Sequence, residues 1–579
     1  MTQRNYVGLA STGHDNALAI VDSQGKLVFA EASERYLQNK RSYSSPPDDM
    51  LRVGKLIEQY CDPGADIVIA KTWSENTSTV FKHESAAAAE VLAGSLHEPE
   101  AWRQLFEIYI GAMQLFGPPI ESAGTNLSFY CAAHPQRQAQ VRRYEHHYVH
   151  AATGCFTSPF KDALCAVVDG FGEGRALSFY RYQDGRIKTL DGDYAPLEGM
   201  RSLGLFYGPI LCGLCGFNVW EGEEWKVMGL APYGEFDDAI YKVMECFMDV
   251  DGLRIKFNEH APEACAELFE YGRKPGASAL SVANLAYTGQ QFFSDVMTQL
   301  LDNLYEYGGS DNLVLGGGCA LNSSYAGRIL ERTKFKKLHI YSAPADDGNA
   351  VGAALLAYYQ DHQQARPQPG FSTPYLGSEV SSKTIDRLIR YGRIIKIAKR
   401  PRDDIYRRTA AALAEGKIVA WVQGRAEFGP RALGNRSILA DPRDPCMKDN
   451  INSLVKFREE FRPFAPSILH EYGDEYFINY QETPYMERTL VFKEKVRDKV
   501  PAVVHEDNTG RLQTVKQAWN APYYQLISEF NKLTGVPVLL NTSLNVMGKP
   551  IVHSVEDAVA LFYTTGVDVL VIEDCFIEK

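Results

Sequence analysis

Long apolar runs are missing from this sequence, and their absence removes several classes of protein at once. No segment stays apolar for long enough to span a bilayer. The first residues, MTQRNYVGLASTGHDNALAIV, carry polar groups and a charge where a secretory leader needs an unbroken apolar stretch. Low-complexity tracts are absent, and composition is ordinary for a globular chain, at 45% hydrophobic and 23% charged. Positive charge is in deficit: 60 Lys+Arg stand against 72 Asp+Glu, a formal net charge of −12. That balance argues against nucleic acid and against a membrane as partners. Cysteine is sparse, 11 residues scattered over 579, which suits reduced thiols and a cytoplasmic location. Cys212-x-x-Cys215 is half a zinc pattern, but no second CxxC exists and its surroundings, ILCGLCGF, are apolar. Buried structural thiols are expected there. A chain of 579 residues exceeds one hydrophobic core, so two or more domains are expected.

Against the acidic background stands one local excess of positive charge. Arg425, Arg431, Arg436, Arg443, Lys456, Arg458 and Arg462 crowd the stretch from Gly424 to Pro466, where glycine and proline impose loops. Guanidinium groups on turns make forks that suit phosphate oxygens. The interleaved Phe428, Leu433, Ile438, Leu439, Phe461 and Phe464 would draw those loops onto a core, which disfavours a solvated basic surface. The pattern implies a site for a polyanionic small molecule.

Upstream, a hairpin unit occurs twice. Strands at Tyr6–Ala10, Leu18–Val21 and Leu27–Ala30 surround the turns STGHDN and Asp22–Gly25. Strands at Ala163–Val168, Leu177–Tyr182 and Ile187–Leu190 repeat the pattern around Asp169–Gly174 and Asp184-Gly185. The repetition suggests a duplicated α/β domain with ligand between its halves. Ala86–Leu115 reads as helix, and so does Arg142–Thr153. In the second of these, His146 and His150 lie one turn apart on one face. That is metal-ligand spacing, and equally the spacing of two packed histidines. Asp169 and Asp346-Asp347, each in a loop, supply carboxylates that would complete a two-histidine, two-carboxylate site. Lys226 is either a phosphate contact or the partner of Glu223 or Glu224. Ser278–Tyr307 reads as a long helix.

The strand Asn312–Leu315 runs into Gly316, Gly317, Gly318 and Asn322, with a helix expected through Leu330. A strand, triple glycine and helix N-terminus permit close backbone approach to a nucleotide, although the loop is neither GxGxxG nor a Walker A motif. Another strand is expected over Leu338–Ser342. Residues 366–394 are taken as a connector, since Gln360–Ser381 is polar and rich in proline and glycine. From Ile395 the pattern restarts with a helix (Tyr406–Ala414), a strand (Ile418–Val422) and the basic loops. Further on come a helix (Tyr523–Thr534), a strand (Val536–Leu540), the polar loop Asn541–Asn545, a helix (Val555–Thr564) and a strand (Val567–Ile572). Arg511, in the polar stretch Asp507–Gln513, joins Asn541, Ser543 and Asn545 as groups expected to meet Arg431, Lys456 and Arg462 around one anion. NTSLN also fits a plain Asx-rich turn.

These blocks carry a family resemblance. GHDNALAI (13–20), HHYVHAA (146–152), VVDGFGE (167–173), KVMGLAPYG (226–234), GGGCALN (316–322) and DDGNAVGAA (346–354) resemble the N-terminal half of the NodU/CmcH/TobZ-type O-carbamoyltransferases. GRAEFGPRALGNRSILADPR, KFREEFRPFAP, DNTGRLQTV and NTSLNVMGKPIV resemble the C-terminal half. The likeness runs over nearly the whole chain in the family's order. It implies a duplicated ASKHA-type, TsaD-like domain over 1–365 and a YrdC-like α/β domain over 395–579. It also implies an ATP-dependent reaction in two steps. Carbamoyl-adenylate forms from carbamoyl phosphate and ATP with Mg2+, and the carbamoyl group then passes to a hydroxyl of a small-molecule acceptor such as an antibiotic or toxin.

By the same resemblance His146, His150, Asp169 and Asp347 would hold a divalent metal, Fe(II) by preference, with Asp347 matching a TsaD-type DNG pattern. Arg431, Lys456, Arg462, Arg511 and Ser543 would grip the donor, and His14 would be the base beside the acceptor. ERYLQNKRSYSSPP (34–47) departs from the family's usual ERFxRxKH, so that Lys40 stands in for the lysine of that pattern. A homodimer is a further expectation. Two other readings compete: a TsaD/YrdC-like modification of tRNA, and an ATP-gated ASKHA module with no carbamoyl chemistry.

Overall fold

The computed structural model describes residues 3–190, 192, 194–392, 396–459 and 461–579. They form two compact units. The first comprises Met1–Ser33, Arg41–Asn322 and Ile329–Ser372, and the second Glu34–Lys40, Ser323–Arg328 and Thr373–Lys579. The expected connector is shared between them, and its helix Ser382–Tyr391 puts Ile385 into the core of the second unit. Arg393, Ile394 and Ile395, where the second domain was expected to start, lie outside the described residues.

The first unit holds two five-stranded sheets of one design. In the first sheet, β1 (Arg4–Ala10), β2 (Ala17–Val21) and β3 (Leu27–Ala32) form an antiparallel meander. Asp22 turns the chain between β2 and β3, its carboxylate accepting from the Gln24 and Lys26 amides at 2.9 Å each. Strands β4 (Asp66–Lys71) and β5 (Ala139–Arg143) continue the sheet in parallel on the other side of β1. The second sheet repeats this order. Strands β6 (Asp162–Val168), β7 (Leu177–Gln183) and β8 (Arg186–Thr189) make the meander. A separate hairpin, β9 (Met248–Asp251) with β10 (Arg254–Phe257), intervenes. Then β11 (Asn312–Gly316) and β12 (Lys337–His339) extend the second sheet in parallel from β6. The duplication expected from the hairpins is therefore a repeat of entire sheets.

Between the strands, several expected elements shift. Ala86–Leu115 is two helices, Thr77–Gly94 and Glu100–Ser122, broken ahead of Pro99, which cannot donate to a preceding turn. The helix expected from Arg142 starts at His146, because 139–143 pairs with β4 as an edge strand. Ser278–Tyr307 begins as a short turn and becomes a helix at Ala283–Glu306. Past β11 the chain makes only a turn at Gly318–Leu321 and the short helices Ser323–Ala326 and Ile329–Arg332.

In the second unit the described residues form a nine-stranded mixed sheet. Its strands are β13 (Ile397–Lys399), β14 (Val419–Val422), β15 (Arg436–Ala440), β16 (Ala465–Leu469), β17 (Arg488–Val491), β18 (Thr509–Val515), β19 (Val538–Ser543), β20 (Val569–Ile572) and β21 (Cys575–Glu578). The spatial order is β13-β21-β20-β14-β15-β19-β16-β18-β17. Helices Arg402–Ala414 and Ala521–Thr534 cover it, with Leu413, Trp421, Ile438, Phe530 and Leu539 in the shared core. Two corrections bear on the site. Arg511 lies in β18 rather than in a loop, and Asn541 to Ser543 end β19, so the loop begins at Leu544. Both arise because alternation in short polar strands resembles loop composition.

Candidate functional site

The first unit gathers its titratable groups where parallel strands end. β6 ends at Val168, β11 at Gly316 and β12 at His339, so Asp169, Gly317-Gly318 and the turn Asp346–Gly348 follow on the same side. Helix His146–Thr157 is started by Glu145, whose carboxylate accepts from the His147 and Tyr148 amides. It packs on helix Asn349–Asp361 at Gly352, where a Cβ would meet Thr153 Oγ1 and the Val149 carbonyl at 2.4 Å. That close approach brings both histidines to the aspartates. His150 Nε2 lies 3.1 Å from Asp346 Oδ1 and 3.6 Å from Asp169 Oδ2. His146 Nε2 lies 3.4 Å from Asp346 Oδ1 and 3.5 Å from Asp169 Oδ2.

The aspartate in this group is Asp346, not the expected Asp347. In the tight turn Asp346–Gly348, successive side chains diverge by about a third of a turn, and Asp347 instead accepts from the Gly348 amide at 2.9 Å.

Four donor atoms within 4.8 Å of one another suit a cation. Metal bonds of about 2.1 Å at tetrahedral or octahedral angles separate neighbouring donors by roughly 3.0–3.4 Å. His146 is buried, and neither of its ring nitrogens has a hydrogen-bond partner. Trp73 stacks on its ring at 4.1 Å between centroids. Glu173 accepts from the His146 amide at 3.3 Å and from the Ser74 amide at 2.7 Å. Neither Trp73 nor Glu173 was expected, since no local pattern links them to the histidines. Burial would lower the His146 pKa, but Asp346 and Asp169 outweigh it and hold the imidazole up to about 10. The paired Asp169 is driven well below the usual carboxylate range, against its own desolvation, by the two histidines.

The triple glycine serves this cluster directly. The Gly318 amide donates to Asp169 Oδ1 at 2.7 Å. Gly317 has φ +86 and ψ 168, a conformation open to glycine alone, and a Cβ there would sit 2.3 Å from the Val168 carbonyl oxygen. Gly317→Ala is therefore expected to cost about 1–3 kcal/mol or more, read as a lowered Tm. Gly316 passes over the His150 backbone at 3.5 Å from its own would-be Cβ. Asn322 exchanges amide hydrogen bonds with Gln290, at 3.0 and 3.3 Å. Lys226 is buried and paired with Glu223 at 2.6 Å. Lys40, in the second unit, pairs with Glu34 at 3.6 Å. His14 Nδ1 lies 2.9 Å from Asp15 Oδ2.

The second unit divides the basic stretch into two sets. Arg425, Arg436 and Arg443 are structural. Arg425 donates to the Gly377 and Leu376 carbonyls. Arg436, fully buried, donates to the carbonyls of Gln423, Asn435, Gly424 and Ser378. Arg443 grips Asp441 at 2.6 Å. The second set is Arg431, Lys456, Arg458, Arg462 and Arg511. Among the described residues the first three and Arg511 have no carboxylate partner, while Arg462 pairs with Glu459 at 3.2 Å. Burial pushes Lys456 well below the usual lysine range, and Arg458 and Arg462 add to the shift. Arg511 is likewise lowered by burial, then by Arg431 and Arg458. Burial alone brings Arg431 to about 10.

Lys456 feels the charges of Arg458 and Arg462, and Arg511 those of Arg431 and Arg458, so these cations are near neighbours. Lys456 Nζ is held by the Ser543 carbonyl, by Ser543 Oγ at 3.2 Å and by Asn545 Oδ1 at 2.7 Å, so Ser543 and Asn545 meet the cluster through it. Arg458 lies over the Phe464 ring at 4.6 Å and completes the set.

The loop carrying Arg431 is clamped from two sides. The buried Glu427 accepts from the Leu433, Asn435 and Arg436 amides at 2.7, 2.8 and 3.1 Å. Gln513 donates to the Leu433 carbonyl at 2.9 Å and Asn541 to the Ala432 carbonyl at 3.2 Å. Asn541 thus supports the loop through its amide nitrogen. Glu427 and Gln513 were not expected, although an acid inside a basic loop was a readable sign.

Comparison with known proteins bears on the same residues. A family model described as carbamoyltransferase N-terminus matches residues 5–355, and one described as carbamoyltransferase C-terminus matches 410–579. The chain is 36% identical to an uncharacterized protein of Synechocystis sp., over 99% of this chain and 97% of that one. It is 38% identical to the nodulation protein NolNO of Sinorhizobium fredii, over 76% of this chain and 64% of that protein. Among solved structures, nucleotide- and phosphate-bound HypF aligns over 62% of this chain and 55% of its own, at 12% identity and a TM-score of 0.34. No described helix is long and apolar enough to cross a membrane. The two family models between them take in both the histidine–aspartate cluster and the buried cations, and the chain belongs to the carbamoyltransferase family.

Proposed function

We propose that the second unit makes carbamoyl-adenylate from carbamoyl phosphate and ATP, and that the first unit passes the carbamoyl group to a hydroxyl of a natural product. The observation that carries this reading is the cluster of Arg431, Lys456, Arg458, Arg462 and Arg511, four of them without a carboxylate partner among the described residues. Such a cluster is unfavourable unless a polyanion joins it. Two phosphate compounds that repel one another are what it would bring together, and forks already in place stabilise charge as it develops.

In the first unit, His146, His150, Asp169 and Asp346 would hold a divalent metal, Fe(II) by our reading. That ion would supply Lewis-acid stabilisation of the leaving phosphate. Around it the chain's own groups act: the Gly318 amide fixes Asp169, Trp73 fixes the His146 ring, and His14 offers a base to the acceptor. The test is the fate of ATP. AMP should form from ATP only when carbamoyl phosphate is added, and a hydroxylated acceptor should gain the mass of one carbamoyl group replacing hydrogen. ADP formed without any donor would favour an ATP-gated module instead, and a strict requirement for tRNA would favour nucleic-acid modification.

A further inference from the structure

The loop between β1 and β2 is clasped by the segment 41–44. The Ser44 amide donates to the Gly13 carbonyl at 2.8 Å, and Asn16 Nδ2 donates to the Ser42 carbonyl at 3.1 Å. Four non-glycine residues of this clasp, Asp15, Arg41, Ser42 and Ser44, sit in the left-handed region with φ between +42 and +61. Backbone strain of this kind persists where surrounding contacts enforce it, and it concentrates at functional sites.

Here it delivers three charged or titratable side chains to one place. His14 Nδ1 is 2.9 Å from Asp15 Oδ2, and Arg41 Nη1 is 3.4 Å from the same oxygen. Arg41 Nη2 reaches Glu224 Oε1, also at 3.4 Å. Thr12 Oγ1 donates to the His14 carbonyl at 2.7 Å, and the edges of Phe116 and Tyr43 flank the imidazole at 5.5 and 6.1 Å between centroids. His14 Nε2 has no protein partner among the described residues, and its side chain is 23% exposed.

We propose that Asp15 is a positioning residue that fixes the His14 tautomer, and that Arg41 in turn fixes Asp15. A carboxylate only accepts, so the hydrogen must sit on His14 Nδ1 and the lone pair on Nε2. Asp15 stays ionised: burial opposes this, but Arg41 and then His14 outweigh it and bring the pKa to about 2. The inference rests on the reading of His14 as base for the acceptor hydroxyl.

In that step the hydroxyl proton moves to Nε2 while the hydroxyl oxygen bonds to the carbamoyl carbon. The bond from that carbon to the adenylate oxygen breaks, and AMP leaves with the electron pair. The imidazolium so formed keeps its Nδ1 hydrogen on Asp15. Lys40, which stands in for the lysine of the family pattern, is paired with Glu34, and its neighbour Arg41 is the residue that reaches Asp15.

The test combines kinetics with the tautomer itself. The full chain is labelled with 15N-histidine, and the His14 ring signals are assigned by their loss in His14→Gln. In the wild type, neutral His14 should show a protonated Nδ1 and a bare Nε2. Asp15→Asn, whose amide can donate to Nδ1, should shift the population toward the Nε2–H form. Its carbamoyl transfer should fall by about 10³-fold while carbamoyl-phosphate-dependent adenylate formation continues at the wild-type rate. Asp15→Glu should recover part of the loss. Transfer in Asp15→Asn within about threefold of wild type overturns the proposal, as does a loss of transfer with the tautomer unchanged. If His14→Gln is inactive while Asp15→Asn transfers normally, the positioning role alone fails. If His14→Gln transfers normally, the base reading fails and takes the positioning role with it.

Discussion

Arg511→Met is expected to melt higher than the wild-type protein and to form carbamoyl-adenylate about 10²–10³-fold more slowly. Arg511 projects from β18 with a buried Nε that has no hydrogen-bond partner. Burial, Arg431 and Arg458 all disfavour its charge. Removing one member of such a group relieves both desolvation and repulsion, while methionine retains the apolar stem. The gain is about 1–2 kcal/mol, an order-of-magnitude figure for releasing a frustrated functional site. The loss of activity follows from the same charge. A fork aimed at phosphate oxygens acts only if it is in place before the reaction, and removing one such donor costs about 10²–10³ in rate.

Phosphate linkage separates this account from a trivial one. Inorganic phosphate at 100 times its Kd should stabilise the wild type by about 2.7 kcal/mol and the variant by much less. The pH dependence has a definite sign too. Because Lys456 is depressed below 10.5, the unfolded chain binds more protons between the depressed value and 10.5. Stability of the ligand-free protein should therefore gain from Lys456 as pH rises through that window. A variant that melts lower and still makes AMP on demand would sink the account.

What could be read from residue order alone was whatever is local. The two hairpin units were legible because alternation and glycine turns lie within thirty residues of each other, and each unit opens one of two matching sheets. The buried cations were legible as an excess of charge interleaved with apolar residues. Which arginines belong to the site was not. Arg436 spends its guanidinium on carbonyls as distant as Ser378, and Arg425 on Leu376, and no spacing rule reports such bonds. Asp346 displaced Asp347 because side-chain direction inside a single tight turn changes with every residue. Lys40 and Arg41 differ for a related reason, since the left-handed Arg41 turns toward Asp15 while Lys40 stays with Glu34. Arg511 looked like a loop residue, because a strand of the composition TGRLQTV has few of the large apolar groups that announce one.

Stripping metal from the histidine–aspartate cluster, with Mg2+ restored for ATP, is expected to abolish carbamoyl transfer and to leave carbamoyl-phosphate-dependent AMP formation intact. The donors of His146, His150, Asp169 and Asp346 lie in the first unit, whereas the buried cations are in the second. Each chemistry should therefore fail alone. Loss of a Lewis acid at the leaving phosphate removes several kcal/mol of stabilisation, a fall of about 10³-fold or more in transfer. His146→Ala should reproduce the loss, and added metal should not reverse it.

Proton release supplies a second readout that does not depend on activity. A histidine ligates as the neutral imidazole, yet His146 is held up to about 10 by Asp346 and Asp169 when no cation is bound. Metal binding at pH 8 must therefore expel at least one proton. Affinity should rise about tenfold per pH unit for each proton expelled, levelling off near pH 10. Calorimetry in buffers of different ionisation enthalpy counts those protons directly. A chelated protein that still transfers at full rate, or metal binding that releases no proton at pH 8, would remove the cation from this cluster.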